Sequence, residues 1–302
     1  MRTQSYLWRT NSEDWMQSDN LERTAPDDLY YDFCLWPYQP VALPENKFRS
    51  SNLLFHSFET AGAPQNAYGV VEAIQNEIGK FNSVWGVKQI DGALRWEFYF
   101  YDYRRQQRER SVTRVLRAIK PYIPCTVSVN ESFEYFMFSL DITQDFLSGA
   151  KKLEEVHMYV GNPGSAVSSG ICYSVTAERT RLENFYFFFD AKQQDAIASK
   201  IKASAFYDAT VVDIHQLLWP EMNGCEVTVV ANKQLNDALY FSRINVDQLI
   251  FFLRKLKYPV SLVSFVESNR SRLDHLLYDV GFDYRMEGDE IVVLKSGYYG
   301  IF

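Results

Sequence analysis

The sequence is short of the residues that most often announce chemistry. Its four histidines, His56, His157, His215 and His275, form no HxH or HExxH arrangement and have no cysteine partner nearby. That excludes the common metal-ligand spacings, and no metal site is expected. The four cysteines, Cys34, Cys125, Cys172 and Cys225, are widely separated, with no CxxC pair. They read as small buried hydrophobes in a reducing compartment, which points to a cytoplasmic protein. No run of about 20 apolar residues exists, so no membrane span is expected. The opening residues, Met1 to Arg9, lack an apolar core, so no secretory leader is expected either. Basic charge is also in deficit: 31 Lys and Arg face 38 Asp and Glu, for a net charge of −7. Such a surface argues against nonspecific binding to nucleic acid or to an anionic membrane. GxxxxGK[ST] and GxSxG are both missing, which removes the P-loop and the nucleophile elbow.

What the chain has in quantity is aromatic side chains, 16% of all residues, concentrated in predicted strands. Gly170 to Tyr207 shows the recurring plan. A strand around Ile171 to Val175 leads through a polar connection to an aromatic strand, Leu182 to Phe189, and Asp190 then opens a helix carrying Ile197 and Ile201. The same order recurs. Ser83 to Ile90 and Leu94 to Tyr101 flank an Asp91-Gly92 turn and precede a helix from Ser111 to Lys120. Cys125 to Val129 and Phe133 to Ile142 pair ahead of a helix from Thr143 to Leu153. Cys225 to Val230 and Leu239 to Ser242 precede a helix capped by Asn245. The ending differs: Val260 to Val266 reads as a strand and Arg270 to Val280 as a helix stopped by Gly281. A hairpin across Gly288-Asp289 and a last strand, Tyr298 to Phe302, close the chain. Residues 63–302 are therefore expected to form one α+β domain. In it a large antiparallel sheet of repeated hairpin–helix units curls into a closed or nearly closed barrel, with helices outside. Two tandem sheet-plus-helix halves are the alternative. Residues 1–62 read as an irregular segment packed on the main fold.

Alternation along the strands separates two faces. Trp96, Phe98 and Phe100 share one face of their strand, while Arg95, Glu97, Tyr99 and Tyr101 share the other. Tyr135 is grouped with Met137, Ser139 and Asp141. His157 goes with Tyr159, and Tyr186 with Asn184. The apolar face suits a helical coat. The tyrosine face suits a wet, aromatic-walled cavity, or else a half-exposed sheet. The candidate ligand-binding residues are Arg95, Tyr99, Tyr101, Tyr135, Tyr159, Tyr186 and Tyr240. Glu97 and His157 are the candidate general bases. Gly161 to Gly170 could cradle an anion, and the basic stretch Arg104 to Lys120 could contact phosphate or RNA. A mobile loop and a solvated helix face are the plainer readings, and a nucleic-acid partner is not expected.

In the order of its elements, across most of residues 65–302, the chain resembles the soluble aromatic prenyltransferases, whose barrels are assembled from repeated helix and hairpin units. The resemblance implies a small aromatic or isoprenoid-like ligand and transferase chemistry. Arg95, Tyr99, Tyr101, Tyr186 and Tyr240 would then shield a diphosphate, and Glu97 or His157 would take a proton. Mg²⁺ enters only through this resemblance, since some members of that family use it. The alternative is a non-catalytic protein-interaction module. It would use an exposed aromatic sheet face or the segment bearing Trp8, Trp15 and Trp36.

Overall fold

Strands that alternate in pattern and twist in one hand cannot stack ten wide in a flat sheet, and closure removes both vulnerable edges. In a computed structural model, which describes residues 21–105, 108–162, 165 and 167–302, ten antiparallel strands close into one barrel. After α1 (Ser51–Ala61) and α2 (Asn66–Ile78), the barrel opens with the hairpin β1 (Ser83–Ile90) and β2 (Ala93–Tyr101). Then come α3 (Val112–Ile119), β3 (Met137–Ile142), α4 (Gln144–Leu147) and β4 (Glu155–Gly161). The hairpin β5 (Ser169–Thr176) and β6 (Thr180–Asp190) leads to α5 (Gln194–Lys202), then to β7 (Val227–Lys233) and β8 (Asp237–Ile244). Three helices follow, α6 (Val246–Lys255), α7 (Val260–Ser268) and α8 (Arg270–Leu273). β9 (Tyr278–Glu287) and β10 (Glu290–Ile301) end the chain, and β10 closes onto β1.

The apolar face of β2 and β3 is packed as expected. Trp96, Phe98 and Phe100 lie opposite Ile142, Leu140 and Phe138, all of them buried. The Phe100 and Phe138 rings stack at 4.8 Å. Phe58 of α1 meets Trp96 edge-on at 5.0 Å, and the Trp96 indole N–H donates to Ser57 Oγ. Each buried aromatic contributes about 1.5–3 kcal/mol. The Asp91-Gly92 turn takes φ of 51° and 76°, as a type I′ hairpin requires. Asn245 and Gln248 form a capping box at the start of α6.

Several elements differ from the sequence expectation. Val260 to Val266 is helical rather than extended: Pro259 stands at the N-cap, and Leu262 and Val266, four apart, are the buried residues. Core contact has overridden β-branched propensity. Arg270 to Val280 is not one helix, because α8 ends at Leu273 and β9 begins at Tyr278. Gly281 is not a helix stop but a strand position facing Tyr240. Cys125 to Val129 forms only an isolated bridge, Cys125 to Leu153, and the helix after β3 stops at Leu147, ahead of Gly149 at φ 76°. Within the segment read as irregular, Ser51–Ala61 is a helix with Leu53, Leu54, Phe55 and Phe58 buried. Trp8 and Trp15 lie outside the described residues, as do positions 163, 164 and 166 of the Gly161 to Gly170 loop.

The inner face carries the feature that positions the site. Tyr99, Tyr159, Tyr186, Tyr240 and Tyr299 come from β2, β4, β6, β8 and β10, alternate strands around the wall. Small residues stand opposite four of them: Ser139 by Tyr99, Cys172 by Tyr159, Gly281 by Tyr240 and Gly86 by Tyr299. Gly170 and Ala231 flank the fifth, Tyr186. Large-against-small alternation is how a barrel interior is filled in layers. A β-carbon on Gly281 would fall 2.1 Å from the Tyr240 ring, and one on Gly86 2.7 Å from that of Tyr299. Gly281→Ala should therefore cost about 1–3 kcal/mol, read as a lower urea midpoint. In a Tyr240→Ala background the same change should cost much less; equal costs in both backgrounds would show that the ring does not demand the glycine.

Candidate functional site

The four short hairpin turns and the segment after β3 gather at one end of the barrel, and the long connections gather at the other. At the hairpin end the lumen opens as a cavity of about 280 Å³ above the tyrosine layer. Successive rings lie near one another: Tyr159 to Tyr186 at 6.0 Å, Tyr186 to Tyr240 at 6.3 Å, Tyr240 to Tyr299 at 6.5 Å and Tyr299 to Tyr99 at 6.0 Å. Hydrogen bonds complete the circuit. Tyr99 OH donates to Glu97 Oε2 at 2.5 Å, Ser139 Oγ donates to Glu97 Oε1 at 2.6 Å, and Ser139 meets Tyr159 OH at 3.3 Å. Burial, with nearby negative charge, pushes all five phenols well above their ordinary range. They are neutral hydrogen-bond donors.

Two charge groups stand above the rings. In the first, Lys88 Nζ contacts Glu97 and lies 2.8 Å from Asp141 Oδ1. Asp141 Oδ2 in turn lies 3.6 Å from His157 Nδ1, and His157 Nε2 lies 3.4 Å from Glu155. Burial alone would raise Asp141, but Lys88 and His157 outweigh it and hold the carboxyl at about 2. Burial likewise opposes the Lys88 charge, and Asp141 with Glu97 overcomes it, so the ammonium is held well above its ordinary value. In the second group, Lys233 Nζ and Lys295 Nζ share Asp283 Oδ2, at 2.7 and 3.5 Å, and Asn236 also donates to it, at 3.0 Å. Two ammonium groups on one carboxylate leave an excess positive charge. The repulsion from Lys233, with burial, lowers Lys295 to about 8.

Of the residues singled out from sequence, Glu97, His157, Tyr99, Tyr159, Tyr186 and Tyr240 line this cavity. Tyr101 lies below the ring layer, against Tyr103 at 5.3 Å. Arg95 has the inner-face parity but stands exposed at the end of β2, in a surface depression with Thr60, Gly92 and Thr143. Tyr135 is a correction. Its N–H bonds Phe133 O, a tight turn that breaks alternation before β3 begins at Met137. Phe136 therefore faces in, while Tyr135 packs edge-on to Phe138 at 5.8 Å under the Arg108 guanidinium. Lys88, Ser139, Lys233, Asp283, Lys295 and Tyr299 were not singled out. Lys295, Gly297 and Tyr299 alternate on a single strand, a signal hidden when β10 is read as two strands broken at Ser296-Gly297. Three arginines of the basic stretch make internal ties, Arg108 to Asp102, Arg110 to Asn82 and Arg114 to Glu77, while Arg104 and Arg117 are exposed.

Glu97, Asp141 and His157 have ligand atoms within 4.8 Å of one another, the one such group among the described residues. Lys88 Nζ lies against both carboxylates and supplies the positive charge there, so the group does not fit Mg²⁺ or another cation while Lys88 holds that place.

Fold and lumen together define a closed, ten-stranded antiparallel α+β barrel with a tyrosine-layered interior. No family model matches the chain. It is similar to a putative JmjC domain-containing protein, L887, of Acanthamoeba polyphaga mimivirus, with 21% identity over 298 residues, 85% of this chain and 47% of that protein. The chain thus spans about half the length of the curated relative it matches. Among solved structures it is similar to PriB in a binary complex with product diphosphate, with a TM-score of 0.48 and 9% identity, covering 83% of this chain and 94% of the other. It is also similar to the apo form of prenyltransferase PriB (0.47, 9% identity, 83% and 94%). No helix among the described residues is long and apolar enough to cross a membrane.

Removing Lys88 leaves the buried Glu97 and the part-exposed Asp141 without their shared ammonium. Lys88→Met should cost about 3–5 kcal/mol, and adding Glu97→Gln should recover part of it. Chemical denaturation checks both; a neutral Lys88→Met would mean that the wall does not depend on this ion pair.

Proposed function

We propose that the lumen binds a small molecule with an anionic head and an aromatic or isoprenoid-like body. The head sits beside Lys233 and Lys295, and the body lies against the tyrosine rings. The observation that carries this reading is the convergence of five neutral phenols beneath two lysines that share a single carboxylate. Ammonium groups and phenol hydroxyls suit a diphosphate, and ring faces suit a cationic carbon. As a transferase, the chain would release diphosphate with the electron pair of the broken C–O bond. It would join the freed carbon to an aromatic acceptor, and Glu97 or His157 would take the displaced proton. The JmjC name belongs to a protein of which this chain spans about half.

Titration calorimetry with inorganic diphosphate and with dimethylallyl diphosphate tests the reading. Both should bind, and Lys233→Met or Lys295→Met should each weaken binding by about tenfold to a hundredfold. Because Lys295 must be protonated to hold an anion, affinity should fall as pH rises through about 8, with proton uptake on binding just above that pH. Absence of binding, or binding indifferent to both lysines, would overturn it.

A second reading, a protein-interaction module, keeps one support. The inner aromatic face is enclosed, but Ile171, Tyr173, Phe185 and Phe187 on the outer wall of β5 and β6 are only half-buried, and Trp36 is exposed. Light scattering across a concentration series checks for self-association through that wall.

A further inference from the structure

Below the tyrosines the lumen continues as a second chamber of about 90 Å³ with a nearly all-apolar lining. The same five rings bound both chambers, so a ligand passing between them would reach from charge into hydrocarbon. The floor of the lower chamber is not made by the sheet. It is Phe33 and Cys34, brought from the far N-terminal side of the chain.

The turn that carries Phe33 is built to hold it there. Asp32 Oδ1 accepts the N–H groups of Cys34 and Trp36, at 2.9 and 3.0 Å. Leu35 takes φ 57°, a left-handed value that a β-carbon disfavours and that the Asp32 bonds enforce. The Phe33 ring stacks on Phe188 at 6.3 Å, and its N–H donates to Asp279 Oδ2 at 2.9 Å. Arg243 ties the turn to β8 through Asp32 at 3.0 Å. On the other side of the turn lies a groove of about 690 Å³ that has Trp36 on its wall and shares Phe188 and Phe241 with the chamber. The turn thus presents Phe33 and Cys34 to the inner chamber and Trp36 to the outer groove.

We infer that Phe33 is a specificity-determining residue: a stopper that limits how long an apolar group the lumen accepts. Naming that group as the body of the ligand rests on the functional reading above; the stopper itself does not.

The experiment uses the full chain and neutral n-alkylbenzenes of increasing length, whose binding ignores the charged mouth, scored by thermal shift and calorimetry. The unaltered protein should bind only the short members of the series. Phe33→Ala should extend the limit by about three carbons, since removing the ring adds its volume to the chamber. Phe33→Leu keeps an apolar anchor in the turn, guards against a folding failure, and should fall between. The same limit in all three proteins, including binding in none, overturns the inference. Diphosphate is titrated in parallel. A moved limit without diphosphate binding would sink the functional reading and leave the stopper standing; diphosphate binding with an unmoved limit would do the reverse.

Discussion

A barrel interior has room for only so many rings at one level, and this chain places five there. It can do so because the strands between give up side-chain volume: Gly86, Ser139, Cys172, Ala231 and Gly281 stand where a second set of large residues would collide. Sterics make the trade obligatory, since a packed interior does not tolerate overlap. The tyrosine level in turn divides the lumen into a charged upper part and an apolar lower part. Fold and site are therefore joined by a single steric constraint.

The charges above the rings obey a second constraint. An ionised group taken from water must find its partners inside. Lys88 between Glu97 and Asp141 meets that demand with little to spare, and so serves the wall more than a visitor. The pair on Asp283 does not balance, and the excess on Lys233 and Lys295 is where an incoming anion gains most. Near neighbours on the same wall thus take different parts, one structural and one available.

Much of this was legible in sequence where alternation is strong. Trp96, Phe98 and Phe100 against Glu97 and Tyr99 assign both faces of β2 without coordinates, and the order of hairpins and helices is enough to foresee a curled antiparallel sheet. Legibility failed where a local signal had a tertiary cause. Gly281 looks like a helix stop, yet it is glycine because Tyr240 lies across from it. Val263 and Val266 favour a strand, yet their segment is helical because one side of it is buried. Tyr135 misleads because a tight turn at Phe133 shifts the period by one residue, which no count of apolar positions reveals. Lysines are hardest to assign, since Lys88 and Lys233 look like surface charges until closure of the wall turns them inward.

Closure has one more consequence. With β10 bonded to β1, each strand among the described residues has a neighbour on both sides. An extended peptide therefore finds no free sheet edge to join as an added strand, and neither does a neighbouring copy. Any association must be made by side chains on the flanks, where shape and chemistry can discriminate, rather than by main chain, which pairs with almost anything.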